Sequence, residues 1–308
     1  MEIITSLERI DLKSYKCGVA LGSFDGIHIG HQTLLMNLVD VCRKNKLKSV
    51  VYTFTNHPRS LTSSNGAPSR ILSEKNKFDV FREFDIDYVI SVEFDDLHRN
   101  LAPGKFIEDI LMNKLNMVYG IVGFDYRFGY KAQGDINLLL DYQRQFKYEL
   151  KIVDAVKIED EIISSTAIRK FISDGLINKA NLFLGRKYSV LGKIVRGKGL
   201  GHQLGFPTAN LSIDEGVVLP KPGVYYTKCI IDQKIYYSIT SVGYNPTFGE
   251  NPITVESHIL DFNDNLYGKE MEIQFYHCCR GEMKFSGVDA LVKQVQHDIK
   301  TAKIYFNI

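Results

Sequence analysis

Short apolar runs alternate with helical periodicities in the first half of the chain, and give way to β-rich segments in the second. Residues 17–21 are continuously apolar and read as a buried strand, and Leu34, Leu35, Leu38, Val41 and Cys42 repeat at helical spacing directly after it. Residues 48–54, 87–94, 117–122 and 148–158 are further strand candidates, rich in β-branched and aromatic residues. Between them, residues 73–84 place Phe78 and Phe81 on one face. Residues 103–115 start on a proline and carry Phe106, Ile107, Ile110 and Leu111 as a stripe. Both segments predict helices, and the alternation predicts an α/β domain built on a parallel sheet.

Residues 175–184 continue as a helix, and Gly185-Arg186-Lys187 marks the expected boundary between domains 1–184 and 185–308. Beyond it, residues 188–195, 223–231, 234–240, 254–261 and 271–277 are short strand candidates separated by turn residues, which predicts a small antiparallel barrel. Val288, Leu291, Val292, Val295, Ile299 and Ala302 then form an amphipathic terminal helix that can cover one side of it.

Composition narrows the function classes. A chain of 308 residues with 44% hydrophobic content can bury more than one core, and a net charge of +2 gives no footing for nucleic acid or an anionic membrane as main partner. Five cysteines without a Cys-x-x-Cys pair support neither a disulfide framework nor a zinc site. No stretch approaches ~20 consecutive apolar residues and the N-terminus lacks an apolar leader, so a cytoplasmic protein is expected.

The chemistry begins at Gly22-Ser23-Phe24-Asp25-Gly26-Ile27-His28-Ile29-Gly30-His31, between the first apolar run and the first helix. Glycines let backbone approach an anion closely, and the free N–H groups and dipole of a helix start favour negative charge. Tight packing alone would also use such a turn, but His28 and His31, three apart, can turn both rings toward one bound group. The whole string resembles the His-x-Gly-His signature of nucleotidyltransferases, in the form carried by bacterial FAD synthetases. Its implied nucleotide contacts are Gly22, Ser23, Phe24, Asp25, Gly26 and Gly30, with His28 and His31 stabilising the transferring phosphate.

Three later segments add candidates. Asn56, His57 and Pro58 follow the second strand, where open α/β sheets gather ligands, and they are candidate flavin contacts. Gly123-Phe124-Asp125-Tyr126-Arg127-Phe128-Gly129 resembles a nucleotide and flavin segment of the same synthetases, which implies Asp125 for nucleotide and Phe128 for flavin. Hydroxyls precede a short helix in Ile163-Ser164-Ser165-Thr166-Ala167-Ile168-Arg169, where residue chemistry alone reads a helix cap. The family resemblance implies that Ser164, Ser165, Thr166 and Arg169 bind the triphosphate.

In the second half, residues 197–210 combine four glycines with Lys198, and Thr208 and Asn210 offer hard oxygens suited to magnesium. The stretch resembles the Gly-Phe-Pro-Thr-Ala-Asn signature of riboflavin kinases, implying nucleotide contacts from Gly197, Lys198, Gly201, Phe206, Pro207, Thr208 and Asn210. Thr208 and Asn210 would also hold the metal. Glu256 sits in an alternating strand pattern, a context that resembles that of the kinase family's catalytic glutamate, and an alcohol acceptor needs such a base. Residues 279–285 resemble that family's flavin loop, with Arg280 and Phe285 as ligand contacts.

Both resemblances, in this order, are those of bacterial bifunctional riboflavin kinase/FAD synthetases. They imply a Rossmann-like nucleotidyltransferase domain followed by a riboflavin kinase barrel. ATP, riboflavin and FMN would be substrates, magnesium the metal, and neither nucleic acid nor membrane a partner. Three other readings stay open on the residues alone: a different cytidylyl- or adenylyltransferase, a non-enzymatic flavin-binding protein, and a chain with one active and one decayed module. Ala132, Ala167 and His202 motivate the second, since they stand where the family often has basic residues.

Overall fold

The computed structural model describes residues 1–57, 60, 66–197, 199–244 and 253–308, and divides them into two compact units. The first spans residues 1–70 and 74–164, and the second spans 71–73 and 165–308.

The first unit opens with strand β1 (Glu2–Ile4) and β2 (Cys17–Leu21), then helix α1 (Ile29–Asn45) and β3 (Lys48–Phe54). Helix α2 (Glu74–Arg82), β4 (Tyr88–Val92) and the short α3 (Asp96–Asn100) follow. Helix α4 starts at Pro103–Lys105 and widens into a π-helical stretch, Phe106–Met112. The unit is completed by β5 (Met117–Gly123), α5 (Ile136–Phe146), β6 (Glu149–Val153) and a hairpin of β7 (Lys157–Ile158) with β8 (Glu161–Ile162). The six-stranded sheet runs β1-β4-β3-β2-β5-β6 and is parallel at every pairing.

The order reverses at β2, whose neighbours are β3 and β5, and such a reversal opens a crevice at the carboxyl ends of the strands. Leu21 pairs with Val122, so Gly22, just past β2, lies beside Gly123, the last residue of β5, at that crevice. The apolar runs of β2, β3 and β5 are buried because helices cover both faces of a parallel sheet. Residues 148–158 are not one strand, since β6 ends at Val153 and the chain then turns into the small hairpin.

The second unit begins with α6 (Ser165–Ser173) and α7 (Ile177–Leu184), twin helices that pack together. Strand β9 (Tyr188–Val195), a short helix α8 (Leu200–Gln203), β10 (Ala209–Ile213), β11 (Gly223–Ile231), β12 (Lys234–Tyr244), β13 (Ile253–Ile259) and β14 (Glu270–Gly281) precede helix α9 (Val288–Phe306). The strands close into an antiparallel barrel in the order β10-β13-β12-β11-β14-β9. Closure removes exposed sheet edges.

The compact units change over at Ser164/Ser165, earlier than the expected 184/185 boundary. Asn181 of α7 supplies a reason: its amide oxygen accepts from the Tyr188 N–H at 2.6 Å and its amide N–H donates to the Phe275 carbonyl at 2.9 Å, fastening the helix to the barrel. Inside the barrel, Thr227, Ser238, Thr240, Ser257 and Cys229 satisfy one another through a buried chain of hydroxyl and thiol contacts. Among the described residues no helix is long and apolar enough to cross a membrane.

Candidate functional site

The first unit gathers its candidate residues at the carboxyl ends of β2, β3 and β5. His28 caps helix α1, and its Nδ1 accepts a hydrogen bond from the backbone N–H of His31 at 3.3 Å. An accepting Nδ1 carries no proton, so the ring presents Nε2–H as its donor. The His28 and His31 rings stack with centroids 3.7 Å apart and planes 15° from parallel. A Cβ on Gly30 would lie 3.3 Å from the His28 ring, close enough that the ring would have to shift.

The turn before the helix is held in an unusual backbone shape. Phe24 has φ 50° and Ile27 φ 38°, values that side chains with a Cβ adopt only under constraint, and both residues are fully buried. Phe24 is fixed between His31, at a centroid distance of 5.2 Å, and Phe81, at 5.7 Å. Its ring is therefore enclosed by the packing of the turn itself. Ser23 is exposed at the mouth, and the Thr53 hydroxyl donates to its carbonyl at 2.9 Å.

Other candidates in this unit divide by environment. Asp125 is exposed on the turn after β5, beside the crevice that Gly22 and Gly123 border. Phe128 is only 7% exposed and packs on Phe106 and Tyr126, so its ring belongs to the core and not to an open flavin surface. The Asn56 amide is committed to backbone: its Oδ1 accepts from the Phe94 N–H at 2.7 Å and its Nδ2 donates to the Phe94 carbonyl at 3.1 Å. That pair of hydrogen bonds ties the ends of β3 and β4 together and engages both ends of the amide. His57 follows it half-buried, and Pro58 lies outside the described residues.

Ser164 closes the first unit, and Ser165, Thr166 and Arg169 lie on the first turns of α6 in the second. Ile168 and Ile172 bury the opposite face of that helix. Ser165 and Arg169 are half-buried and Thr166 is exposed.

In the barrel, Asn210 of β10 stands directly opposite Glu256 of β13, so both side chains project from one face of the sheet. The Thr208 hydroxyl donates to Glu256 Oε2 at 3.3 Å. The three candidates for metal and base chemistry thus meet at one point. Gly197 and Gly201 make room for them: a Cβ on Gly197 would collide with the Asn210 amide, and one on Gly201 would lie 2.5 Å from the Phe206 carbonyl. Pro207 is exposed, and its carbonyl accepts from His258 Nδ1–H at 2.9 Å, which anchors the strand-side end of this loop. Lys198 lies outside the described residues, and His202 is exposed on α8.

Gly201, Thr208, Glu256 and His258 border a cleft of about 540 Å³. Phe206 lines it as well, together with Arg280, Lys284 and Phe285. The volume suits a planar heterocycle with a chain attached. The Arg280 guanidinium carbon lies 5.9 Å from the centre of the Phe285 ring. Leu291, Val295 and Asp298 of α9 also line the cleft, so the terminal helix does more than cover the barrel. Asp298 was not visible as a functional residue in sequence, because an acid on an amphipathic helix reads as solvated. In the fold it is 1% exposed and fixes Arg280.

Comparison with known proteins agrees with both halves. A family model for FAD synthetase matches residues 11–167, and one for riboflavin kinase matches residues 184–306. The chain is 33% identical to a protein of Buchnera aphidicola subsp. Schizaphis graminum and 32% identical to one of Haemophilus influenzae, covering 100% of both chains in each case. It is 31% identical to one of Escherichia coli K12 over 95% of this chain and 93% of the relative. All three are named bifunctional riboflavin kinase/FMN adenylyltransferase. A crystal structure described as a macrolide-efflux protein of Streptococcus pneumoniae superposes with a TM-score of 0.87 at 30% identity, over 98% of each chain.

Proposed function

The chain belongs to the bifunctional riboflavin kinase/FMN adenylyltransferase family, and from that premise we propose which residues carry each of its two transfers. One reaction moves the γ-phosphoryl group of ATP to riboflavin, giving FMN and ADP. The other moves the adenylyl group of a second ATP to FMN, giving FAD and pyrophosphate.

Phosphorylation belongs to the barrel cleft, and the observation that carries this assignment is the meeting of Thr208, Asn210 and Glu256 on one face. The 5'-hydroxyl of riboflavin is a poor nucleophile at neutral pH, so Glu256 accepts its proton as the oxygen attacks the γ-phosphorus. Arg280 and Phe285 hold the flavin across the cleft. Lys198, Gly197 and Gly201 belong to the loop that wraps the ATP phosphates. The Thr208 hydroxyl and the Asn210 amide oxygen, hard neutral donors beside a carboxylate, suit magnesium. When bound, that ion neutralises charge on the transferring phosphoryl group.

Adenylylation belongs to the glycine turn of the first unit. FMN needs no base, because a phosphate monoester with a second pKa of about 6 is already ionised at neutral pH. The site supplies position and charge instead. His28 Nε2–H, His31 and the N-terminus of α1 face the α-phosphate and the departing pyrophosphate, and Asp125 orients the nucleoside. His57 is the remaining flavin candidate after β3.

Incubating the chain with riboflavin, ATP and magnesium, and separating the flavins over time, tests both assignments. FMN should appear first and FAD after it. FMN without FAD would remove the turn from the reading, and absence of both products would remove the whole of it.

A further inference from the structure

Helix α2 carries a buried cation that neither transfer described above uses. Lys77 is 9% exposed, and its ammonium donates to the Ser23 carbonyl at 2.8 Å, the Thr53 hydroxyl at 2.8 Å and the Phe54 carbonyl at 3.3 Å. An ammonium has three N–H donors, and here three oxygens receive them. Four residues on along the same helix face, Phe81 packs edge-on against Phe24 at 5.7 Å. One face of α2 therefore grips the turn twice, at the Ser23 carbonyl and at the Phe24 ring.

Those grips act on the peptide that matters most for an anion. Across a trans peptide the carbonyl of Ser23 and the N–H of Phe24 point in opposite directions. Drawing the carbonyl inward onto Lys77 and Thr53 turns the next N–H outward, toward the mouth of the crevice. Phe24 meanwhile stays at φ 50°, a conformation that relaxes without such support. We propose that Lys77 is a positioning residue of the adenylyl-transfer site, whose ammonium fixes the Ser23–Phe24 peptide so that the turn presents its N–H groups to the ATP phosphates. The proposal rests on the assignment of that turn to FMN adenylylation.

The clamp depends on the proton. A neutral amine has two donors and a lone pair, so either a carbonyl faces the lone pair and is repelled, or the Thr53 hydroxyl turns its proton to the amine and releases the Ser23 carbonyl. Burial pulls the Lys77 pKa down to about 8, against the carboxylates of Asp25 on the turn and Glu74 on its own helix, while Arg70 adds to the lowering. Substrate phosphates are fully ionised well below that pH, since their last ionisations fall near 6. An alkaline loss of adenylylation centred near 8 would therefore report the clamp and not the substrates.

The test measures FAD formation from supplied FMN and ATP by the full chain between roughly pH 6.5 and 9.5. Wild type, Lys77→Met and Lys77→Arg are compared, with circular dichroism to verify folding. Wild type should lose kcat on an alkaline limb near pH 8. Lys77→Met should fall by roughly tenfold to a hundredfold at neutral pH, with the limb gone. Lys77→Arg keeps a cation throughout, so whatever its absolute rate its limb should vanish as well. A folded Lys77→Met with the wild-type rate and profile overturns the proposal. So does an unchanged limb in Lys77→Arg, and a flat wild-type profile does the same if Lys77→Met fails to fold. Wild type that makes no FAD at all would instead overturn the assignment of the turn, and the clamp with it.

Discussion

Asp298 accepts hydrogen bonds from Nε of Arg280 at 3.0 Å and from Nη2 at 2.8 Å, which locks a strand-end guanidinium to the terminal helix beside the cleft. Gln294 donates to the other carboxylate oxygen at 2.8 Å, so the acid is itself oriented. The Arg280 and Asp298 side chains are 18% and 2% exposed, and a buried pair is costly to break from one side only. Asp298→Ala should destabilise the chain by about 3 kcal/mol in urea unfolding. Asp298→Asn keeps the shape but not the charge, and should raise the riboflavin KM by about tenfold with a smaller change in kcat. An unchanged KM in a folded Asp298→Asn protein would show that Arg280 needs no such anchor to hold flavin.

The two activities should separate by single substitutions, because Glu256 and His31 lie in different compact units. Glu256→Gln removes the base but keeps the size, and should slow FMN formation by roughly a hundredfold or more while supplied FMN is still adenylylated. His31→Ala should do the reverse. Loss of both activities in either folded variant would contradict one site per transfer.

Much of this organisation is legible in the chain, and the misses have physical causes. The strands and the glycine turn of the first unit show because buried parallel strands are apolar throughout, and a strand, turn and helix carry three different periodicities. Strand β10 does not show, since Ala209–Ile213 starts inside the glycine loop and its five residues bury only Leu211 fully. Its discovery is what sets Asn210 opposite Glu256. Phe128 and Asn56 have the right chemistry for a ligand, but the fold commits one ring to the core and one amide to the Phe94 backbone. Lys77 and Asp298 are hidden by the opposite effect. A charge on a helix is ordinarily solvated, and only tertiary packing shows that these two are not.

Gly197 gives a steric prediction. Its missing Cβ is the space that the Asn210 amide occupies, so Gly197→Ala must displace that amide from its place at the site. The φ of Gly197 is not in the left-handed region, so the change adds bulk without backbone strain. Riboflavin phosphorylation should fall at least about tenfold, with a raised requirement for magnesium, while adenylylation is untouched. A magnesium titration of the kinase reaction that superposes on wild type would reject the role of Asn210 at the metal.

Lys77 should also leave a mark on stability. Its pKa is about 8 in the folded chain, below the roughly 10.4 of an exposed lysine, so between these values the unfolded chain holds a proton that the folded chain has released. Where the unfolded state binds more protons, stability rises with pH. The folded protein therefore bears the full cost of burying this charge below about pH 8 and is relieved of it as pH climbs toward 10.4, by up to about 3 kcal/mol from this one group. Lys77→Met removes the charge at every pH. Urea unfolding at pH 7 and pH 10 should accordingly show wild type gaining on Lys77→Met at the higher pH, on top of changes common to both. A constant difference between the two would mean that Lys77 keeps an ordinary proton affinity. A gain would show a cation held at a cost to stability in the pH range where its ammonium completes the turn, the pattern expected when a site retains a group for function and not for folding.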